Sequence, residues 1–413
     1  MRIGVFTDLH LGLVQYGLKE REEDFYNQYN KAIQTFVDAK VDIVITAGDI
    51  FDKPRPSPKA LEVFTNGLNI LKENNIQVLN IIGNHSMIKS SDFVTADEFI
   101  TVTGLKDSYI LLDEDNIFTQ EDTTIVGLPY HYNTELSELI EKINNLNDKV
   151  KNTKHNILVL HQEFKEFCNY TGAELSINDI NIENFDLIIC GHIHERKLIQ
   201  VSEDTIFLQP GSLERSSIAE AKDEENNGKG VFIFDSEDIN IDTISNGFIR
   251  LKSERKFLIA DMYMNEKEDF DSIKNEILTS VNEYSHSPIL FLTVHDKTQS
   301  YSRFIDLTGD LKSEFLTVNF NYFDESNIES EEIITSADDI PTPRDALRLA
   351  LNPLDEDEAK LGLDMYDLLK DGKDAKKILD DFLEKRIEKN RKKMEENPYE
   401  AEIKELEEFF ENL

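Results

Sequence analysis

The sequence predicts an α/β protein in which two sheets pack together between outer helices, an αββα arrangement, followed by a small α+β module and a helical C-terminal segment. Three observations carry this expectation. Apolar runs recur along the first half of the chain, and five of them end in polar residues of the kind that bind metals. Amphipathic helical spacings separate the early runs, as parallel βαβ crossovers require. From Lys197 to Ile244 the runs become short and closely spaced, the pattern of antiparallel hairpins.

Taken in order, Arg2 to Phe6 is the first strand and leads into Thr7-Asp8-Leu9-His10. From Arg21 to Lys40, Phe25, Tyr29, Ala32, Ile33, Phe36 and Val37 form one apolar helical face. The run beginning at Val41 is a buried strand that ends in Gly48-Asp49, with Asp52 three residues on. A proline-rich turn, Lys53 to Pro58, precedes a helix carrying Leu61, Phe64, Leu68 and Leu71. Gln77 to Ile82 leads into Gly83-Asn84-His85, and Ser90 to Thr103 has the stripe Phe93, Ala96, Phe99 and Ile100 of another helix. Short strands fill Tyr109 to Gly127, and Glu135 to Val150 is helical. Asn156 to Leu160 ends at His161, and Asp186 to Cys190 ends at Gly191-His192-Ile193-His194. Strands are then expected at Lys197 to Val201, Thr205 to Gln209, Val231 to Phe234 and Ile239 to Ile244.

A second unit begins at Arg255-Lys256-Phe257, with strands at Phe257 to Met264, Ile289 to His295 and Leu316 to Phe323 and a helix at Phe270 to Asn282. The domains expected are thus residues 1–254, an α+β module at 255–325, an acidic linker at 326–343 and a helical region at 344–413. In that last region Pro398 separates two helices, and Ile378, Leu379, Phe382 and Leu383 cluster on one of them.

The apolar and charged fractions are those of a globular protein, and no apolar run approaches the ~20 residues of a membrane span. The first strand starts at residue 2, which leaves no room for a signal peptide, so a cytoplasmic protein is expected. The cysteines Cys168 and Cys190 fit neither a disulfide framework nor a zinc finger. Net charge is −38, from 44 basic and 82 acidic side chains. That field repels a polyanion at long range, so a nucleic-acid ligand needs local compensation. Divalent metals supply some, and Lys53, Arg55, Lys59, Lys89, Arg196, Lys197 and Arg215 lie close to the motif loops.

The five strand ends bring together Asp8, His10, Asp49, Asn84, His85, His161, His192 and His194, which include five of the nine histidines. Each motif alone is weak; in combination and in order they are specific. In α/β sheets such groups gather beyond the carboxyl ends of strands. Oxygen and imidazole donors without thiolate suit catalytic manganese, iron or zinc. The donor count implies two ions; one partition of the donors gives the first Asp8, His10, Asp49 and His194, and the second Asp49, Asn84, His161 and His192. Two ions ~3.5 to 4 Å apart clamp a phosphoryl group, activate a water and stabilise entering and leaving oxygens, which is phosphoester hydrolysis. His85 stands one residue beyond a ligand and is a candidate acid for the leaving oxygen. Two readings of Asp52 are open: a carboxylate that orients His85, or a cap of the following turn.

DLHLG, GDIFDKPRPSP, GNH, LVLHQ, GHIH and QPGSLERSS, in this order, resemble the calcineurin-like metallophosphoesterases, and within them the Mre-eleven/SbcD nucleases of double-strand-break repair. RPSP after GDIFD and PGSLERSS at 210–217 point to the nuclease branch. The resemblance implies a two-sheet metallophosphoesterase sandwich with a capping domain at 255–325. It implies a nuclease dependent on two Mn2+, with Mg2+ or Fe2+ as alternatives, acting as a 3′-to-5′ exonuclease and single-strand endonuclease on DNA. By resemblance Asp8, His10, Asp49, Asn84, His161, His192 and His194 are metal ligands and His85 the catalytic acid. A partner SMC-like ATPase of the Rad-fifty/SbcC type is implied on the C-terminal helices, together with a homodimer through the helices near 58–75 and 90–104. Family members commonly carry Asp after GNH, where this chain has Ser86. The basic run at 385–393, KRIEKNRKK, is open to two readings, a contact with DNA or partner and a solvated helix face. A phosphatase of small phosphoesters or cyclic nucleotides is the alternative function.

Overall fold

A computed structural model describes residues 1–87, 94–168, 172–222, 228–264, 275, 277–279, 286–296, 311 and 314–324. In chain order the elements are β1 (Arg2–Phe6), α1 (Lys19–Ala39), β2 (Ile43–Thr46), α2 (Pro58–Glu73), β3 (Gln77–Asn80), α3 (Ala96–Thr101), β4 (Tyr109–Leu111), β5 (Phe118–Gln120), β6 (Thr123–Gly127), α4 (Leu136–Val150), β7 (His155–His161), β8 (Leu187–Gly191), β9 (Lys197–Gln200), β10 (Ile206–Gln209), α5 (Ile218–Lys222), β11 (Gly230–Asp235), α6 (Ile241–Asn246), β12 (Phe248–Arg250), β13 (Phe257–Met264), β14 (Ile289–Asp296) and β15 (Thr317–Asp324).

Strand periodicity explains the layers. In β1, β2 and β3, Ile3, Val5, Ile43, Ile45 and Leu79 point one way and meet Ile125, Ile157, Val159, Leu187, Ile189 and Leu208 of the second sheet. The alternate residues Phe6, Val44 and Val78 point the other way, onto Tyr29, Ile33, Phe36, Phe64 and Leu68 of α1 and α2. The second sheet repeats this: Leu158, Leu160, Ile188 and Phe207 face Leu139, Ile143 and Leu146 of α4. Strands buried on both faces read as unbroken apolar runs, which is why the sequence showed them so plainly. The first sheet has the order β12-β11-β1-β2-β3-β4 and the second β5-β6-β7-β8-β10-β9. The αββα sandwich is therefore observed.

Several expectations are corrected. Ile239 to Ile244 is not a strand: the Asn240 side chain accepts from the Thr243 N–H, and this cap starts α6. The hairpin pattern after Lys197 is divided between sheets. β9 pairs antiparallel with β10, but β10 lies parallel to β8, while β11 crosses to the first sheet and pairs antiparallel with β1. Of the helix expected over Ser90 to Thr103, residues 90–93 lie outside the described residues; Val94 and Thr95 are not helical, and α3 starts at Ala96, where Thr95 and Glu98 form a reciprocal capping box.

β13, β14 and β15 form a parallel three-stranded sheet. Its core is Met262, Leu290, Leu292 and Val294 with Ile277, Leu311 and Phe315. The expected helix at 270–282 lies largely outside the described residues; 275 and 277–279 are helical. The linker at 326–343, the helices at 344–413, the basic run at 385–393, Lys89 and Phe93 lie outside them altogether. Among the described residues no helix is long and apolar enough to cross a membrane.

Candidate metal centre

Five strand ends converge, three from the first sheet and two from the second. Asp8 and His10 follow β1, Asp49 follows β2, and Asn84 and His85 follow β3; His161 closes β7, and His192 and His194 follow β8. The backbone is bent hard to present them. Asp8, His10, Asp49 and His192 all have positive φ, at 51°, 45°, 48° and 85°. Side chains rarely adopt this region, and such conformations persist only where the surroundings over-determine them. Gly48, at φ 93°, has no such choice: a Cβ there would stand 2.5 Å from His161 Nδ1.

Two donor sets form, Asp8 with His10 and His194, and Asp49 with His161 and His192. In the first, His10 Nε2 and His194 Nε2 lie 3.0 Å apart. In the second, Asp49 Oδ2 is 3.2 Å from His161 Nε2. The Asn84 Oδ1 atom is 2.9 Å from His161 Nε2 and 2.8 Å from His192 Nδ1, so Asn84 stands with the second set. Ring nitrogens and oxygens aimed at common points, with hard and borderline donors only, fit divalent ions of the Mn, Fe or Zn type. A third group joins His10, Asp52 and His85, with both Nδ1 atoms 4.0 Å from Asp52 Oδ1.

The closer Asp52 partner of His85 is not the carboxylate, which stands 4.0 Å from Nδ1, but the main chain. The Asp52 main-chain carbonyl accepts a hydrogen bond from His85 Nδ1 at 2.7 Å. A carbonyl can only accept, so Nδ1 carries a proton and Nε2 is the nitrogen left for substrate.

The outer partners of the imidazoles include residues that sequence reasoning missed. Ala47 O holds His161 Nδ1 at 2.6 Å. Glu163 Oε2 lies 2.7 Å from His192 Nε2. Ser216 Oγ and Glu220 Oε1 stand 2.9 and 3.3 Å from His194 Nδ1, and Glu220 Oε2 also accepts from Lys229 Nζ at 2.6 Å. Such partners fix ring orientation and raise ligand basicity. A Ser-x-x-Glu signature, Ser217 to Glu220, was the only sequence signal for Glu220. Glu163 stands two residues past His161, on no periodic pattern. Glu163→Gln is expected to weaken metal binding ~10- to 100-fold, which calorimetric titration of the divalent ion would measure.

The electrostatics prepare the centre to exchange protons for metal. Burial alone would lower the His161 pKa, but the Asp49 carboxylate outweighs it and pushes it up to about 9. Burial would raise Asp49, yet His161, helped by His10, holds it well below the usual carboxylate range. His10 is pushed well below its ordinary value by burial and then by His194. Burial also pushes Glu220 up, but Lys229 and His194 hold it well below its usual range. Ligation needs neutral imidazole, so the metal must displace the His161 proton. The sign follows: metal affinity rises with pH, by up to tenfold per unit, and flattens above about 9. Titrations at pH 7, 8 and 9 should show this with net proton release, and affinity independent of pH across that window would contradict it.

Of the basic residues near the loops, Lys53, Arg55 and Lys59 are exposed. Arg215 is wholly buried, with its guanidinium 4.8 Å above the Phe257 ring and Nη2 donating to Arg255 O at 2.5 Å. It ties the PGSLERSS segment to the start of β13 and is not a surface charge for a polyanion. Arg196 is half-buried over Phe248 at 3.8 Å, and Lys197 donates to Phe167 O at 2.8 Å.

Two packed sheets whose strand ends converge on paired metal-ligand sets define a metallophosphoesterase. The family model for calcineurin-like phosphoesterases matches residues 1–196. The DNA double-strand break repair protein Mre11 of Methanococcus maripaludis is 30% identical over 293 residues, covering 70% of this chain and 76% of that protein. Its counterpart in Methanocaldococcus jannaschii is 29% identical over 289 residues, 69% and 74% of the two chains, and that of Saccharolobus solfataricus 26% over 290 residues, 70% and 73%. The chain belongs to the Mre11 family of DNA double-strand break repair proteins, and it is a divalent-metal phosphodiesterase.

Proposed function

We propose that the chain is a manganese-dependent DNA nuclease, a 3′-to-5′ exonuclease and single-strand endonuclease that serves double-strand-break repair. The observation that carries this reading is the placement of His85. Its ring centroid is 4.7 Å from that of His10, and its main-chain N–H donates to Asp49 Oδ1 at 2.9 Å, so it stands against both donor sets. Asp8, His10, Asp49, Asn84, His161, His192 and His194 are proposed to hold two ions, Mn2+ by preference, with Mg2+ or Fe2+ as alternatives. When bound, the ions supply charge to the phosphate and activate a water.

The protein's own part is positional. Asp49, clamped between His85 N–H and His161, fixes the distance between the two donor sets. His85 has Nδ1–H held by the Asp52 carbonyl, so a protonated Nε2 can hand its proton to the leaving oxygen. Asn84 brings an oxygen without adding negative charge where a phosphate must enter.

Dimerisation is proposed through the outer face of α3, where Phe99 and Val102 are 58% and 75% exposed. Phe64 and Leu68 of α2 pack into their own core instead. The helices at 344–413 are proposed to dock on an SMC-like ATPase. With a net charge of −38, the isolated chain should bind duplex DNA weakly at physiological salt and tightly only with that partner.

The test is digestion of a labelled linear duplex, a single-stranded circle and a small phosphodiester, with manganese and with EDTA. Metal-dependent cleavage of DNA supports the nuclease reading. Cleavage of the small diester alone, even with the ATPase present, would transfer the function to small phosphoesters or cyclic nucleotides.

A further inference from the structure

The turn that carries Asn84 and His85 is a single 3-10 turn, Asn84–Ser86, without a side-chain cap at its start. A short, uncapped turn is a poor platform for two groups that must be held to a fraction of an ångström. It is tied at two points. On one side His85 N–H donates to Asp49 Oδ1, and Gly83 packs so closely that a Cβ there would lie 2.2 Å from the same oxygen. On the other side Ser86 Oγ–H donates to Asp97 Oδ2 at 2.7 Å.

Asp97 sits in the first turn of α3 and is 1% exposed. Its Oδ1 accepts from Tyr109 OH at 2.9 Å and from Asn80 Nδ2 at 3.1 Å. Asn80 ends β3, Tyr109 begins β4, and both are wholly buried. Among the described residues Asp97 makes no ion pair. A buried carboxylate served only by neutral donors is costly, and burial raises its pKa accordingly. Serine, tyrosine and asparagine thus converge on one acceptor that fixes the turn to α3, β3 and β4 together. A hydrophobic trio would fill the same space but could not set the direction of the Ser86 Cβ–Oγ bond.

We propose that Asp97 is a positioning residue for the cleavage step: through Ser86, the residue next to His85, it fixes the part of the turn that presents His85. This rests on the role given to His85 above.

The experiment uses full-length chain with manganese and measures kcat, KM and bound metal for Ser86→Ala, Ser86→Thr, Asp97→Ala and the double variant Ser86→Ala/Asp97→Ala. The substrates are single-stranded DNA and a small phosphodiester. Ser86→Ala is expected to lower kcat at least ~10-fold, with KM and bound metal within twofold of wild type. Ser86→Thr, which keeps the hydroxyl, should recover most of the rate. The double variant should be no slower than Asp97→Ala, because both remove one contact. The proposal is overturned if Ser86→Ala lowers only the unfolding temperature while kcat stays within twofold, or if rate and bound metal fall together. Should Asp97→Ala fail to fold, Ser86→Ala and Ser86→Thr still decide the matter. Failure of the nuclease reading looks different: the wild type would leave DNA uncut, while these ratios would still be read on the small diester.

Discussion

Asp49→Asn is expected to cut DNA cleavage at least ~10^3-fold, on the order of 4 kcal/mol of transition-state stabilisation. The substitution keeps the volume of the side chain but removes its charge. Asp49 is 2% exposed and packed against Gly83, so the replacement has no room to swing away. An amide there must turn its NH2 either on His85 N–H or on His161 Nε2, two positions where an oxygen now sits. It also removes the anion that raises the His161 pKa, and the donor set of Asp49, His161 and His192 loses its carboxylate. Bound metal and kcat should fall together. Activity within tenfold of wild type would mean that Asp49 does not hold metal.

The second large effect is on stability. Asp24 Oδ2 accepts from Arg21 Nη1 at 2.6 Å and from Arg255 Nε at 2.6 Å. Arg21 is wholly buried and Arg255 is 5% exposed. Asp24→Ala leaves two buried guanidinium groups without this carboxylate, a change worth roughly 3–5 kcal/mol. Against a total stability of ~5–15 kcal/mol this is a large fraction, and denaturant titration of the full chain would report it as a lowered midpoint. A loss below ~1 kcal/mol would show that Glu214, whose Oε1 is 3.4 Å from Arg21 Nη2, takes over the pairing.

These two sites mark what a sequence reveals and what it conceals. The ligand loops were legible because each follows a strand buried on both faces, where the apolar run is long and ends abruptly. That the five ends belong to two sheets was visible only as an expectation of layering. Ile239 to Ile244 misled because its apolar residues fit either period, and the Asn240 cap decided for a helix. Arg215 read as surface charge because a guanidinium is seldom buried. Its burial depends on Phe257 and Arg255, about forty residues away. The Asp52 contact with His85 uses a main-chain carbonyl, and a main-chain group leaves no trace in residue types. Glu163, Glu220 and Asp97 are single acidic residues in a chain with 82 of them, so composition could not single them out.

The most direct test of the account is one sample of His85→Ala assayed for bound manganese and for DNA cleavage. His85 lies beside the donor sets without belonging to either, so the variant should keep two ions per chain and lose at least ~100-fold in cleavage rate. Cleavage at the wild-type rate, or loss of an ion along with the activity, would contradict the role given to His85 at this centre.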